Sequence, residues 1–214
     1  LYAHAQRILA TEDAAVADLR SLSKLERGRL SIGASTTIGS YLVPSLLGEL
    51  HRLHPEIELD LQIANTAAVQ AAVLDHRVDL GLTEGLVASD SLETEVVASD
   101  EMLVIAAPGH PLLARAPILA QELTQVPLLL REHGSGTREV IEAALLAKGL
   151  RVTPIMSLGS TEALKNAVLH GLGLAVVSRL TVTAELRSGL LVELPLRDLR
   201  IRRELHLIRT RGKQ

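Results

Sequence analysis

The 214-residue chain has no cysteine, no phenylalanine and no tryptophan, and its only aromatic residues outside histidine are Tyr2 and Tyr41. Without cysteine it can form no disulfide, thiol nucleophile or thiolate metal site, a usage that fits the cytosol. Without Phe and Trp, its core must be built from Leu, Ile, Val and Ala, and it lacks the stacking platforms used by single-strand nucleic-acid binders. No apolar run reaches the ~18 residues that a membrane-spanning helix needs, and the N-terminus has no secretory-signal pattern. Charge of one sign is also in short supply: 22 Lys+Arg against 25 Asp+Glu leave a formal net charge of −3. The whole chain therefore has no pull toward phosphate backbones. The basic cluster Arg197, Arg200, Arg202, Arg203, Arg209, Arg211 and Lys213 reads as a solvated strand face with a tail.

What is present is strongly patterned. With 47% hydrophobic and 22% charged residues, the chain has the composition of a folded globular protein. Residues 1–27 carry Ala5, Ile8, Leu9, Val16, Leu19 and Leu22 at helical spacing, with neither Gly nor Pro until Gly28. This stripe either meets a partner helix or packs back on the chain's own core.

From Arg29 onward strands alternate with helices. Leu30 to Ala34 is a short apolar strand, and a helix spans Ile38 to Leu53, ended by His54-Pro55. Ile57 to Ile63 alternates as a strand, Asn65-Thr66 caps a helix through Leu74, and Val78 to Thr83 is a third strand. Leu92 to Ala98 and Met102 to Ala107 are extended, and Pro108-Gly109-His110-Pro111 breaks the run. A second unit follows, with strands at Leu128 to Leu130, Ile155 to Leu158 and Leu174 to Ser178. Its helices cover Arg138 to Lys148, Glu162 to His170 and Leu180 to Ser188. Late strands at Leu191 to Leu194 and Glu204 to Ile208 are left to return to the first unit. Alternation of this kind calls for parallel sheets with right-handed crossovers.

Two stretches about a hundred residues apart repeat one design, a buried strand running into a hydroxyl-rich turn that opens a helix. One ends Ala34-Ser35-Thr36-Thr37, and the other runs Arg131-Glu132-His133-Gly134-Ser135-Gly136-Thr137-Arg138. Such turns aim free backbone N–H groups and short hydroxyls at one point, as anion-binding helix N-termini do. In open α/β sheets this is the carboxyl edge, where ligands bind. Ser35 and Thr36 either cap their helix, contact a ligand, or do both. Asn65, Thr66, Thr83 and Glu84 end the next two strands. Glu84 would repel an anion unless Arg138 or a proton compensates. Arg138 either grips an oxyanion or pairs with Glu132 or Glu142. Gly134 and Gly136 leave the backbone beside Ser135 open to a ligand. Ser160-Thr161-Glu162 repeats the capping-turn pattern.

Enzyme readings find little. Gly134-Ser135-Gly136 lacks the Gly-x-Ser-x-Gly frame of a nucleophile elbow, and no phosphate-binding loop or dinucleotide fingerprint follows a strand. His51 and His54 share a helix face without further ligands, which reads as a surface pair and not a metal site. No catalytic residue and no cofactor are expected.

Five segments in order resemble one family: Gly28-Arg29-Leu30-Ser31-Ile32-Gly33-Ala34-Ser35, Leu53-His54-Pro55-Glu56-Ile57, Val78-Asp79-Leu80-Gly81-Leu82, Gly109-His110-Pro111-Leu112 and Gly171-Leu172-Gly173-Leu174-Ala175-Val176-Val177-Ser178. Together they resemble the effector-binding domain of LysR-type transcriptional regulators. The resemblance implies an α/β fold of two Rossmann-like lobes joined by two crossover strands, similar to type 2 periplasmic binding proteins. It places a linker and dimerisation helix at 1–27, lobe I at 28–103 plus 200–214, and lobe II at 104–199. It also implies a cytoplasmic homodimer or homotetramer, without membrane contact, whose DNA binding resides in a winged helix-turn-helix upstream of Leu1. The segments around Thr36 to Pro44 and Arg131 to Arg138 look most like the branch that controls sulfur assimilation and carbon fixation. Its effectors are small anions such as sulfate, sulfite or phosphorylated metabolites. On this reading the effector binds between the lobes. Ser35, Thr36, Thr37, Asn65, Thr66 and Thr83 contact it from the first, and Glu132, Ser135, Gly136, Thr137, Arg138, Ser160 and Thr161 from the second. The alternative on the same scaffold is an oxyanion solute-binding protein of a transporter.

Overall fold

A computed structural model describes residues 28–85, 87 and 89–212. The helix expected over residues 1–27 lies outside them. The chain divides into two compact units. Among the described residues, one holds 28–83, 87, 89–97 and 206–212, and the other holds 84, 85 and 98–205.

In the first unit β1 (Gly28–Ser35) lies between β2 (Ile57–Ala64) and β3 (Leu80–Glu84), parallel to both. The residues of β9 (Ile201–Thr210) that belong to this unit run beside β3. The single helix expected over Ile38 to Leu53 is two, α1 (Thr36–Tyr41) and α2 (Val43–Leu53). They part at Leu42, whose φ of −115° departs from the helix. Pro44 explains the break, because its ring cannot continue the ladder of the preceding turn and its fixed φ suits the start of a new helix. After β2, Asn65 caps α3 (Thr66–Leu74) by accepting the Ala68 N–H at 3.0 Å. Val69, Ala72 and Val73 of α3 pack with Val78, Leu92 and Ile208 in an all-aliphatic core.

In the second unit β7 (Leu174–Ser178) lies between β5 (Leu128–Arg131) and β4 (Leu92–Ala106), parallel to the first and antiparallel to the second. β6 (Met156–Leu158) adds in parallel on the outer side of β5, and the short β8 (Val192–Glu193) pairs with β4. Consecutive residues of these strands alternate between two separate cores. Leu128 and Leu130 face the core that holds Ile141 and Leu145 of α4 (Gly136–Leu146). Leu129 faces the core that holds Leu164 and Val168 of α5 (Thr161–Leu169) and Val182 of α6 (Arg179–Ser188). A strand buried on both faces reads as an unbroken apolar run, which is why Leu128 to Leu130 has no polar alternation.

The two extended stretches expected between Leu92 and Ala107 form one fifteen-residue strand, β4. Ser99-Asp100-Glu101 does not interrupt it, because Asp100 has a buried ionic partner. β4 and β9 are the two strands that run through both units. Residues 107–127, which carry no strand, fold as two short 3-10 turns at Pro111–Arg115 and Ala120–Thr124. Among the described residues no helix is long and apolar enough to cross a membrane.

Candidate functional site

Parallel strands finish together at one edge of their sheet, so the residues that follow them gather without further instruction. In the first unit Ser35 is registered with Ala64, and Ala34 with Leu82. Ser35, Thr36 and Thr37 after β1, Asn65 and Thr66 after β2, and Thr83 within the end of β3 therefore share one carboxyl edge. Ser35, Thr37, Thr66 and Thr83 are buried there. Thr36 donates to the Ala64 carbonyl at 3.4 Å, tying the β1 turn to the end of β2. Ser35 occupies the N-cap position of α1 without a side-chain capping bond. Asn65 does cap, through its side-chain oxygen. Thr83 stands apart, since its hydroxyl oxygen is fully buried with no hydrogen-bond partner among the described residues. Natural interiors rarely leave such a group unsatisfied without a reason.

The second unit gathers its turns in the same way. Arg131 ends β5 in register with Leu158 of β6, so Glu132 and Ser135 to Arg138 lie near Gly159, Ser160 and Thr161. Gly134 has φ of +80°, a left-handed conformation that turns the chain into α4. Ser135 is the N-cap residue of α4 and makes no side-chain capping bond, whereas Ser160 caps α5 by accepting from Ala163 N–H at 3.1 Å.

Arg138 resolves to the ion-pair alternative. Its Nε donates to Glu142 Oε1 at 2.8 Å, and its Nη1 donates to the Arg131 carbonyl and to Ser157 Oγ. Glu132 is engaged by its neighbour, for Arg131 places Nε and Nη2 at 2.8 and 2.9 Å from the two carboxylate oxygens. Arg131 Nη1 also donates to Thr161 Oγ1 at 3.2 Å.

Glu84 is compensated by Arg203, not by Arg138: Arg203 Nη1 lies 3.2 Å from Glu84 Oε1. The same guanidinium donates from Nε to Asp100 Oδ2 at 2.8 Å and from Nη1 to Thr137 Oγ1 at 2.9 Å. Thr137 in turn donates to Glu84 at 3.4 Å, and Ser178 donates to Asp100 Oδ1 at 3.0 Å. Arg203 is thus buried, which corrects its placement on a solvated face. β9 alternates Ile201, Arg203 and Leu205 inward with Arg202 and Glu204 outward. A cation in the inward phase was the sequence signal for this network. Among the described residues no cluster of three or more His, Asp or Glu could hold a metal ion.

The LysR substrate binding domain profile matches residues 23–214. The chain is 38% identical over 207 residues to the uncharacterized HTH-type transcriptional regulator YeiE of Escherichia coli K12, covering 97% of this chain and 70% of that protein. It is 35% identical over 208 residues to the HTH-type transcriptional regulator CysL of Bacillus subtilis, with the same coverage of both. Among solved structures, the regulatory domain of CcmR from Synechocystis PCC6803, in complex with 2-PG, superposes with a TM-score of 0.80. That likeness has 29% identity and covers 88% of this chain and 90% of that one. YeiE and CysL are both HTH-type transcriptional regulators matched over 97% of this chain, which does not favour the transporter alternative. The fold is the two-lobed, type 2 periplasmic-binding-protein-like architecture with two crossover strands, and the chain belongs to the LysR substrate-binding domain family as the effector-binding domain of a LysR-type transcriptional regulator.

Proposed function

We propose that this domain recognises a small anionic effector with the hydroxyl-rich carboxyl edges of its two units. Occupancy would modulate DNA binding by a winged helix-turn-helix outside this sequence, in a cytoplasmic homodimer or homotetramer. The observation that carries the reading is Thr83, a buried hydroxyl without a partner among Ser35, Thr37 and Thr66 at the end of three parallel strands. A ligand oxygen accepting its proton removes the cost of leaving it unsatisfied. Ser135, Gly136 and Thr137 offer a similar edge on the second unit, at the N-terminus of the eleven-residue α4, the helix end that favours anions.

The 2-PG complex of CcmR supports a phosphorylated metabolite, and the resemblance of the Thr36 to Pro44 and Arg131 to Arg138 segments to the sulfur-assimilation branch supports a sulfur oxyanion. The regulators YeiE and CysL match nearly the whole chain, so we read the domain as a sensor and not a catalyst. An effector changes the balance between two arrangements of the protein only by its differential affinity for them, typically about 1–3 kcal/mol.

Isothermal titration with sulfate, sulfite, phosphate and 2-phosphoglycolate tests the reading. At least one is expected to bind, and Thr37→Val and Thr137→Val are each expected to weaken it while the protein remains folded. Silence from all four anions would overturn the anionic assignment. Unchanged affinity in both variants would overturn the assignment of the edges.

A further inference from the structure

The Arg131–Glu132 pair divides burial unevenly. The Arg131 side chain is 2% exposed, whereas the carboxylate that neutralises it is 28% exposed. Glu132 therefore caps the guanidinium from the solvent side. On its other side the guanidinium is fixed within the protein, by Thr161 Oγ1 at 3.2 Å and by the Gly159 carbonyl at 3.4 Å from Nη2. Nε and Nη2 both point to the carboxylate, at 2.8 and 2.9 Å, which is the two-pronged geometry by which arginine grips planar oxyanions.

The two partners are consecutive residues: Arg131 is the last residue of β5, and Glu132 is the first beyond it. A bridge between two elements would brace the fold. The bridge between these neighbours is itself local, and a rotation of the Glu132 side chain would open it without moving the backbone. The fork also stands at the carboxyl edge of β5 and β6, where Thr161 opens α5.

We infer that Arg131 is the cationic anchor for the effector in the second unit. Glu132 is its resident substitute, a carboxylate that holds the fork until a carboxylate, phosphate or sulfur oxyanion displaces it. This inference rests on the anion-sensing reading above and assigns the chemical group within it. It follows that the free domain is self-competed. The apparent affinity for an anion is lowered by the fraction of molecules in which Glu132 occupies the fork. The fork accepts two oxygens carrying net negative charge, so neutral and cationic metabolites cannot relieve the buried guanidinium and are excluded.

The test is isothermal titration of the full chain with 2-phosphoglycolate, sulfite and sulfate, together with thermal melting of each variant. Glu132→Gln keeps the side-chain shape and removes the competing charge, so the affinity for whichever anion binds is expected to rise on the order of tenfold. If Glu132→Gln does not fold, Glu132→Asp, one methylene shorter, carries the same expectation at a smaller size. Arg131→Lys is expected to lower affinity on the order of tenfold, because an ammonium cannot reproduce the fork. Glu142→Gln, which alters the parallel partner of Arg138, is expected to stay within about twofold of the native affinity. A folded Glu132 variant with unchanged or weaker binding overturns the inference and leaves the sensing reading standing. Tightening by Glu142→Gln instead would transfer the anchor to Arg138 and also overturn it. If neither the native protein nor the Glu132 variant binds any of the three anions, the sensing reading fails with it.

Discussion

Arg203 Nη2 lies 2.7 Å from Asp100 Oδ2, and each of these side chains is 1% exposed. Glu84, also buried, approaches the same guanidinium at 3.2 Å. One cation therefore serves two buried carboxylates, one just after Thr83 and one on β4. A pair removed from water contributes little net stability, but breaking it by deleting one partner leaves an uncompensated charge. Arg203→Met is accordingly expected to destabilise the domain by about 3–5 kcal/mol in urea unfolding at neutral pH. Arg203→Lys keeps the charge but cannot contact Asp100, Glu84 and Thr137 together, so it should fall between the two. A loss below about 1 kcal/mol for the Met variant would mean that the carboxylates find another partner.

Thr83 offers a different kind of test because its hydroxyl is buried and unsatisfied. Thr83→Val removes the polar atom at nearly constant shape, and its effect on the ligand-free domain is expected to lie between neutral and about 1 kcal/mol stabilising. The same change is expected to weaken anion binding. Chemical denaturation and titration of the one variant separate these effects, and destabilisation beyond about 1 kcal/mol would show that the hydroxyl is satisfied in solution.

Gly85 holds φ at +93°, and a Cβ added there would meet Gly136 Cα at 2.8 Å. Both a conformational penalty and a backbone collision act against any side chain at this position, where the chain passes the first residue of α4. Gly85→Ala is expected to cost about 1–3 kcal/mol in thermal unfolding and to lower effector affinity by displacing Gly136. Native stability in this variant would show that the backbone relaxes without cost.

Asp198 is held below the ordinary aspartate value, chiefly by the Ala120 N–H that it accepts and further by Lys148. A carboxylate whose native value is depressed contributes stability above its unfolded value, and loses it as pH falls through the native one. The gap in melting temperature between native protein and Asp198→Ala is therefore expected to be widest near neutral pH and to close in acid. A gap that stays constant with pH would assign the effect to packing and not to charge.

The elements with one-dimensional signals were readable in the sequence. Leu174 to Ser178 stands where its apolar run places it, and Asn65 and Ser160 cap the helices they precede. Signals that depend on distant partners were not readable. Ser99-Asp100-Glu101 looks like an interruption until Arg203, more than a hundred residues later, supplies the buried counter-charge that keeps β4 continuous. Pro44 carries the local cue for dividing α1 from α2, yet the apolar stripe through Leu42 and Leu46 conceals it. At the candidate site the hydroxyls announced themselves as strand-ending turns. Arg131 did not, because an arginine closing a buried Leu-Leu-Leu run reads as the strand's polar terminus. Its bonds to Glu132, Gly159 and Thr161 join residues that no one-dimensional pattern pairs.

β4 and β9 also decide how the gene can be divided. The first unit takes its strands from three separate stretches of chain, and the second from a central stretch with Glu84 and Gly85 inserted from earlier. A fragment truncated after Val97 lacks the residues from His206 onward, and with them Ile208 from the first unit's core. Neither unit is therefore a heritable module. Recombination that exchanges one of them between relatives has to cut and rejoin the chain at both crossing strands at once.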